Sequence, residues 1–211
     1  MTKTSEPVMS GRGKNPVSNR LVPKDLINIG LFTALYFVIC FAVAMLGYIP
    51  IFIPLLAVLV PLIGGIPFML FLTKVKKFGM VLIMGILVGL IYTLLGGLST
   101  WALAFTILFS LIAELLLRSG AYKSGKRAIL SYGIFSLWLM GQFLPIFVAR
   151  DAYYEMLASG SFGVEYANAL MSFMPEWIAP VLVLCCFAFG VLGGLLGRAI
   201  MRKHFQRAGI V

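Results

Sequence analysis

Six apolar blocks separated by short polar gaps limit this chain to a helical membrane fold. The blocks cover residues 26–46, 49–73, 79–95, 98–117, 128–149 and 178–201. A membrane-spanning helix needs about 17 to 25 mostly apolar residues, and the blocks have this length. Hydrophobic residues make up 61% of the chain and charged residues 11%, so a soluble domain could not cover its core with polar side chains. The pattern predicts an all-α integral membrane protein, a bundle of six transmembrane helices.

Positive charge is confined to alternate gaps between these blocks. Of the 17 lysines and arginines, 16 lie in the stretches 1–24, 74–77, 118–127 and 198–207. Under the positive-inside rule such stretches stay in the cytoplasm. Both termini are therefore predicted to be cytoplasmic, and the acidic segment 150–177 external. The net charge of +10 fits this topology and contact with anionic lipid, and it does not indicate nucleic-acid binding, because the cations flank apolar spans.

The chain divides into a membrane domain and two tails. Residues 1–24 predict a flexible basic cytoplasmic tail, 25–203 the six-helix transmembrane domain with its external loop 150–177, and 204–211 a second cytoplasmic tail. The second block contains four prolines, which remove backbone donors, so its helix is expected to be kinked or broken; they are Pro50, Pro54, Pro61 and Pro67.

The external segment is expected to form a lid over the bundle. Its run from Tyr153 to Leu157 has the apolar spacing of a short amphipathic helix. Gly160 and Gly163 could hinge the segment.

Two motifs resemble catalytic signatures without completing them. Gly120 to Lys126 approaches a phosphate-binding loop, but Arg127 replaces the hydroxyl residue that coordinates Mg²⁺. Gly160-Ser161-Phe162-Gly163 resembles a nucleophile elbow, yet the only histidine, His204, lies in the cytoplasmic tail. No catalytic residue, metal ligand or cofactor is therefore predicted.

Glu114 is the one ionisable residue expected at membrane depth. Such residues often mark ion or proton paths, because a charge at the bilayer centre is costly. Arg118 follows four residues later, so an ion pair at the cytoplasmic interface is the preferred interpretation.

Aromatic and hydrogen-bonding residues collect at the external helix ends and predict a small-molecule pocket. The candidate substrate-binding residues are Tyr48, Trp101, Gln142, Arg150, Asp151, Tyr153, Tyr154, Asn168 and Trp177. For Tyr48, Trp101 and Trp177 a belt at the lipid headgroups is an equal alternative.

Small residues recur at helical spacing in three blocks. Gly85 with Gly89, and Gly190 to Gly197, are interpreted as internal packing positions, where helices approach closely. Gly30 and Ala34 in the first block could instead receive another subunit.

This arrangement resembles the substrate-binding S component of energy-coupling factor (ECF) transporters, and it is most similar to the family called Trep_Strep or MptE-like. The features that carry the resemblance are six helices within residues 25–203, basic tails, a proline-rich second helix and the Gly30-Leu-Phe-Thr-Ala34 pair. In S components an Ala-x-x-x-Ala surface docks on the membrane coupling (T) subunit, and here Gly30 replaces the first alanine.

The resemblance implies a non-enzymatic importer subunit in a bacterial cytoplasmic membrane. Such a subunit captures a vitamin or other micronutrient from outside. It delivers the ligand by toppling when docked on the coupling subunit and two ABC ATPases. Two alternatives stay open, namely a structural or assembly subunit without a ligand of its own, and a small membrane-embedded enzyme.

Overall fold

The computed structural model describes residues 20–95 and 100–207, and every regular element in these ranges is helical. The all-α prediction is confirmed. The helices are α1 (Pro23–Ala44), α2 (Phe52–Leu72), α3 (Met80–Leu94), α4 (Thr100–Ser119), α5 (Gly125–Phe135), α6 (Met140–Val148), α7 (Arg150–Ser159), α8 (Gly163–Phe173) and α9 (Ile178–Arg207). Single 3-10 turns follow α1 at Met45–Tyr48 and join α5 to α6 at Ser136–Leu139.

Five helical spans of the described chain are long and apolar enough to cross a membrane. They are Pro23–Tyr48, Phe52–Leu72, Trp101–Ser119, Gly125–Val148 and Ile178–Lys203. The sixth expected span is shorter than predicted, because α3 has only 15 residues. At 1.5 Å per residue it is about 22 Å long, which is less than the roughly 30 Å of a hydrocarbon core.

The bounds of the first and last helices differ by a few residues from the predicted bounds of the tails. Helix α1 starts at Pro23, inside the predicted tail 1–24, because proline is well suited to the first helical turn. The described part of α9 continues through Arg207 and so enters the predicted tail 204–211. Residues 1–19 and 208–211 lie outside the described residues.

Helix α2 is continuous from Phe52 to Leu72, so the alternative of a broken second helix is wrong. Pro61 and Pro67 both lie inside it. A neighbouring helix contacts α2 at the first of these prolines, where the Tyr132 hydroxyl of α5 donates to the Pro61 carbonyl at 2.7 Å. Membrane helices tolerate internal proline where packing against neighbouring helices compensates for the lost backbone hydrogen bond.

Glycines bring α2 and α9 into backbone contact along the centre of the bundle. A Cβ at Gly65 would overlap the backbone of Gly193, and one at Gly197 would lie 2.6 Å from the Gly65 carbonyl oxygen. On the other side, Cβ atoms at Gly85 and Gly89 of α3 would meet side chains of α4. The interpretation of these glycines as internal packing positions is confirmed.

One end of the bundle, which we call the basic end, joins the start of α1, the α2–α3 connection and the end of α4. Lys77 and Asp25 form an ion pair of 2.7 Å there.

The predicted ion pair between Glu114 and Arg118 is wrong. Glu114 is fully buried and accepts hydrogen bonds from the Val81 and Leu82 amides at 2.7 and 3.2 Å. These amides open α3 and lack partners within the helix, which explains why the carboxylate turns to them.

A helical hairpin, α7 with α8, lies at the opposite end, which we call the hairpin end. The amphipathic run from Tyr153 to Leu157 lies in α7, as predicted, whereas α8 was not predicted. Gly160 and Gly163 lie at the tip between α7 and α8, and the φ angle of Gly163 is 80°. These glycines therefore join the two helices of the hairpin and do not connect it to the bundle. A hinge here would move α7 relative to α8, and the lid over the bundle stays a prediction.

Candidate functional site

Two adjoining cavities open beneath the hairpin. The inner one has a volume of about 180 Å³ and the outer one about 260 Å³, and Ala44, Ile53 and Tyr153 line both. The inner cavity lies between α1, α2, α3, α6 and α7, and the described residues that line it are uncharged. A concave, apolar site with a few polar groups is typical of small-molecule binding.

Gln142 supplies a hydrogen-bonding group to the inner cavity. It stands in α6, one turn after Trp138, and lines the cavity wall. Its amide Nε2 is buried and has no hydrogen-bond partner among the residues that the structure describes. Leaving a buried donor unpaired costs about 1 to 3 kcal/mol, so a hydrogen-bond acceptor that reached this amide would stabilise the protein.

Aromatic rings form one wall of the inner cavity. The rings of Tyr92 and Trp138 lie 5.0 Å apart, and Phe37 meets the edge of Tyr92 at 5.2 Å. The Trp138 indole nitrogen donates to the Tyr36 hydroxyl at 3.0 Å, which fixes the orientation of the indole. The sequence analysis missed Tyr92 and Trp138. The spacing of Trp138 and Gln142, four residues apart in one block, was a usable signal.

Contacts between α8 and the turn after α1 border the outer cavity. The Tyr166 hydroxyl donates to the Gly47 carbonyl at 2.5 Å. The Phe162 ring packs between the rings of Tyr166 and Tyr48, with centroid distances of 4.6 and 5.8 Å. We call this group the latch. Burial, and next the neighbouring Tyr153, raises the pKa of Tyr166 to about 12, so the hydroxyl stays a neutral donor at physiological pH.

Three of the predicted binding residues line these cavities. Gln142 lines the inner cavity, Tyr48 the outer one and Tyr153 both. Burial raises the pKa of Tyr153 above its ordinary value, which keeps this hydroxyl neutral as well.

Three others hold the hairpin together. The Arg150 guanidinium donates to the carbonyls of Met174 and Met171 at 2.7 and 2.9 Å, which satisfies the C-terminal end of α8. The Tyr154 hydroxyl donates to Asn168 Oδ1 at 2.9 Å, across the two helices. A direct role for them in ligand binding stays a prediction.

The last three predicted residues are exposed. Asp151 lies on the outer face of α7, and Trp101 and Trp177 are 51% and 69% exposed at the hairpin end. The structure does not bring them to the cavities. Exposed tryptophan rings at a helix end fit the alternative of an interfacial belt.

Gly30 and Ala34 lie on the outer face of α1. Both are exposed, and a Cβ added at Gly30 would meet nothing within 4 Å. This distinguishes them from the glycines of α2, α3 and α9, which pack inside the bundle. The pair leaves a smooth strip on α1.

The loop that resembles a phosphate-binding motif is a turn between α4 and α5. Ala121 and Tyr122 adopt φ angles of 49° and 58°, and the Tyr122 hydroxyl donates to Glu114 Oε1 at 2.8 Å. Burial, and then the Glu114 carboxylate, raises the pKa of Tyr122. The residues of this loop thus close the basic end of the bundle.

A protein-family model described as a hypothetical bacterial integral membrane protein (Trep_Strep) matches residues 23–207. The chain belongs to the Trep_Strep family. The match covers every helix of the fold, so a multi-pass membrane protein is established for this Trep_Strep chain. No curated protein matches the sequence, and no solved structure matches it.

Proposed function

We propose that this Trep_Strep protein is the substrate-binding S component of an ECF-type importer. It would capture a vitamin or another small micronutrient outside the cell and release it inside. The single observation that carries the proposal is the inner cavity beneath the hairpin, with the unpaired Gln142 amide in its wall. A buried donor without a partner is a feature that a ligand would satisfy.

The proposed topology places the basic end in the cytoplasm of a bacterial cell and the hairpin outside. The positive-inside rule supports this orientation. Both termini would then be cytoplasmic, and α3 would cross the membrane as a short sixth span. Contacts at both ends of α3 support that crossing, because Val81 meets Glu114 at the basic end and Tyr92 lines the inner cavity. A local thinning of the bilayer accommodates a span of this length.

We propose no enzymatic step for this chain. ATP hydrolysis would belong to two partner ATPases, and a membrane coupling subunit would dock on the α1 strip at Gly30 and Ala34. Toppling of the bundle after docking would then turn the cavity towards the cytoplasm. The strip suits this role because small residues allow close approach of another helix in lipid.

Co-purification tests the proposal. The affinity-tagged chain is isolated from its native membrane, and the recovered proteins are identified by mass spectrometry. We expect a coupling subunit and ATPases. Ala34→Leu should remove them, because the new side chain fills the strip, while it leaves the fold intact. Ala188→Leu is the matched control, since Ala188 is exposed on α9 and its enlargement should keep the partners bound.

Two outcomes would contradict the proposal. Recovery of another membrane complex without ATPases would favour the assembly subunit. Equal recovery of ATPases from the Ala34→Leu and native chains would remove the docking role of the strip.

A further inference from the structure

We infer that the inner cavity binds a neutral, flat aromatic heterocycle with a hydrogen-bond acceptor on its ring. The assignment of this compound as a transported substrate rests on the proposed function, whereas its binding does not. The inference follows from four properties of the cavity: its size, its lack of charge, its aromatic wall and the uncharged hydrogen-bonding groups of its lining.

The size limits the ligand to one or two fused rings. The inner cavity measures about 180 Å³. A dry protein cavity of about 150 Å³ accommodates benzene. The inner cavity therefore holds a single ring with substituents or a small fused pair, and the adjoining cavity of about 260 Å³ leaves room for a substituent towards the latch.

The absence of charge excludes an ionic group in the inner cavity. Its described lining includes Ile53, Leu56, Val60 and Phe143, together with the uncharged Gln142 and Tyr153. The nearest basic side chain of the hairpin, Arg150, already serves the carbonyls of α8. Because an ion taken into such a site loses its hydration without gaining a partner, carboxylates and ammonium groups should be rejected.

The aromatic wall and the Gln142 amide determine the ligand's shape and polarity. Tyr92 and Trp138 both line the cavity, and the indole N–H of Trp138 is already paired with the Tyr36 hydroxyl. Aromatic side chains pack best against other aromatic groups, in offset or edge-to-face geometry. The Gln142 Nε2 group then needs one acceptor, such as a ring nitrogen or a carbonyl.

Matched probes test the inference on the full chain in lipid nanodiscs. Quinoline and naphthalene have the same shape, and only quinoline carries an acceptor. Binding of each labelled probe is measured at equilibrium, with empty nanodiscs subtracted. We expect quinoline to bind about tenfold more tightly than naphthalene, since it pairs the buried donor. Quinoline-4-carboxylate should bind at least about a hundredfold more weakly than quinoline, because its charge would be desolvated.

Two variants locate the site. Gln142→Met keeps the length of the side chain and removes the amide, so the preference for quinoline over naphthalene should be lost or reversed, because the ring nitrogen would be buried without this donor. Ala44→Met fills the space shared by the two cavities and should weaken the binding of both probes. The ratio of the affinities of the native chain for quinoline and naphthalene decides the question even if a variant fails to fold.

Equal affinity of the native chain for quinoline and naphthalene would overturn the inference and leave an apolar cavity open to lipid chains. Preference for the carboxylate, or no saturable binding of any probe, would overturn it too. Failure of the proposed function is separable, because it would appear as missing ATPases in the co-purification while the probe preference stayed intact.

Discussion

Glu114 offers a direct test of why a carboxylate is buried in this bundle. Its two oxygens accept hydrogen bonds from Val81, Leu82 and Tyr122. It thus joins the start of α3 to the end of α4 and to the turn after it. If this cap is its role, substitutions should lower the free energy of unfolding in proportion to the hydrogen bonds lost.

The contacts allow the magnitudes to be estimated. Glu114→Leu leaves the Val81 and Leu82 amides and the part-buried Tyr122 hydroxyl without their acceptor, and at about 1 to 3 kcal/mol for each of the two amides alone the loss is about 2 to 6 kcal/mol. Glu114→Gln keeps an oxygen for the amides and can donate to the Tyr122 oxygen, so it loses only the charge assistance, about 1 to 2 kcal/mol. Tyr122→Phe removes one hydrogen bond and should lose about 1 kcal/mol.

The assay uses the cysteines of the chain. Cys40 and Cys186 are free and buried, so a thiol-reactive dye reports their exposure as SDS unfolds the protein. Glu155→Leu is the control, because Glu155 is exposed on α7, and its change should stay within about 0.5 kcal/mol. A Glu114→Leu protein as stable as Glu114→Gln would refute the cap. Loss of transport at full stability in Glu114→Gln would instead indicate a proton carrier.

Three further substitutions test the latch and the helix packing. Tyr166→Phe removes the donor to Gly47, and ligand release measured by stopped flow should accelerate about two- to tenfold; an unchanged rate would exclude the latch from gating. Gly65→Ala should lower the free energy of unfolding by about 1 to 3 kcal/mol, because its Cβ would overlap Gly193. Gly30→Ala should be neutral or slightly stabilising, since it meets open space and alanine favours helix, and equal losses in both variants would contradict the difference in packing.

The membrane class was readable from the sequence because bilayer thickness sets the length of apolar blocks. Window hydropathy therefore located the five long spans. Hydropathy could not give the length of α3. This helix begins directly after Gly79, whose φ is 97°, and its first amides donate to Glu114. Hydropathy also missed α8, because the pattern of polar and apolar residues in this segment is too weak to distinguish a helix from a loop.

The candidate site was only partly predictable for a related reason. Polar residues at helix ends are visible in a sequence, and Gln142 and Tyr153 were found this way. The sequence does not show which groups these polar residues contact in the fold. Arg150 was expected to bind a ligand but donates to α8, whereas Tyr92 and Trp138 resembled ordinary apolar-block residues until packing placed them in one wall.

The same spacing of small residues has opposite consequences at two places in this fold. Gly193 and Gly197 let α9 reach the backbone of α2, so these two glycines allow close packing within the chain. Gly30 gains no such contact, and in a helix it costs about 1 kcal/mol relative to alanine. Within residues 20–95 and 100–207, Gly30 therefore makes no close helix contact of this kind. For this reason Ala34→Leu is informative: Ala34 is exposed on α1, so its enlargement should leave the fold intact, and a change in partner recovery should report on docking.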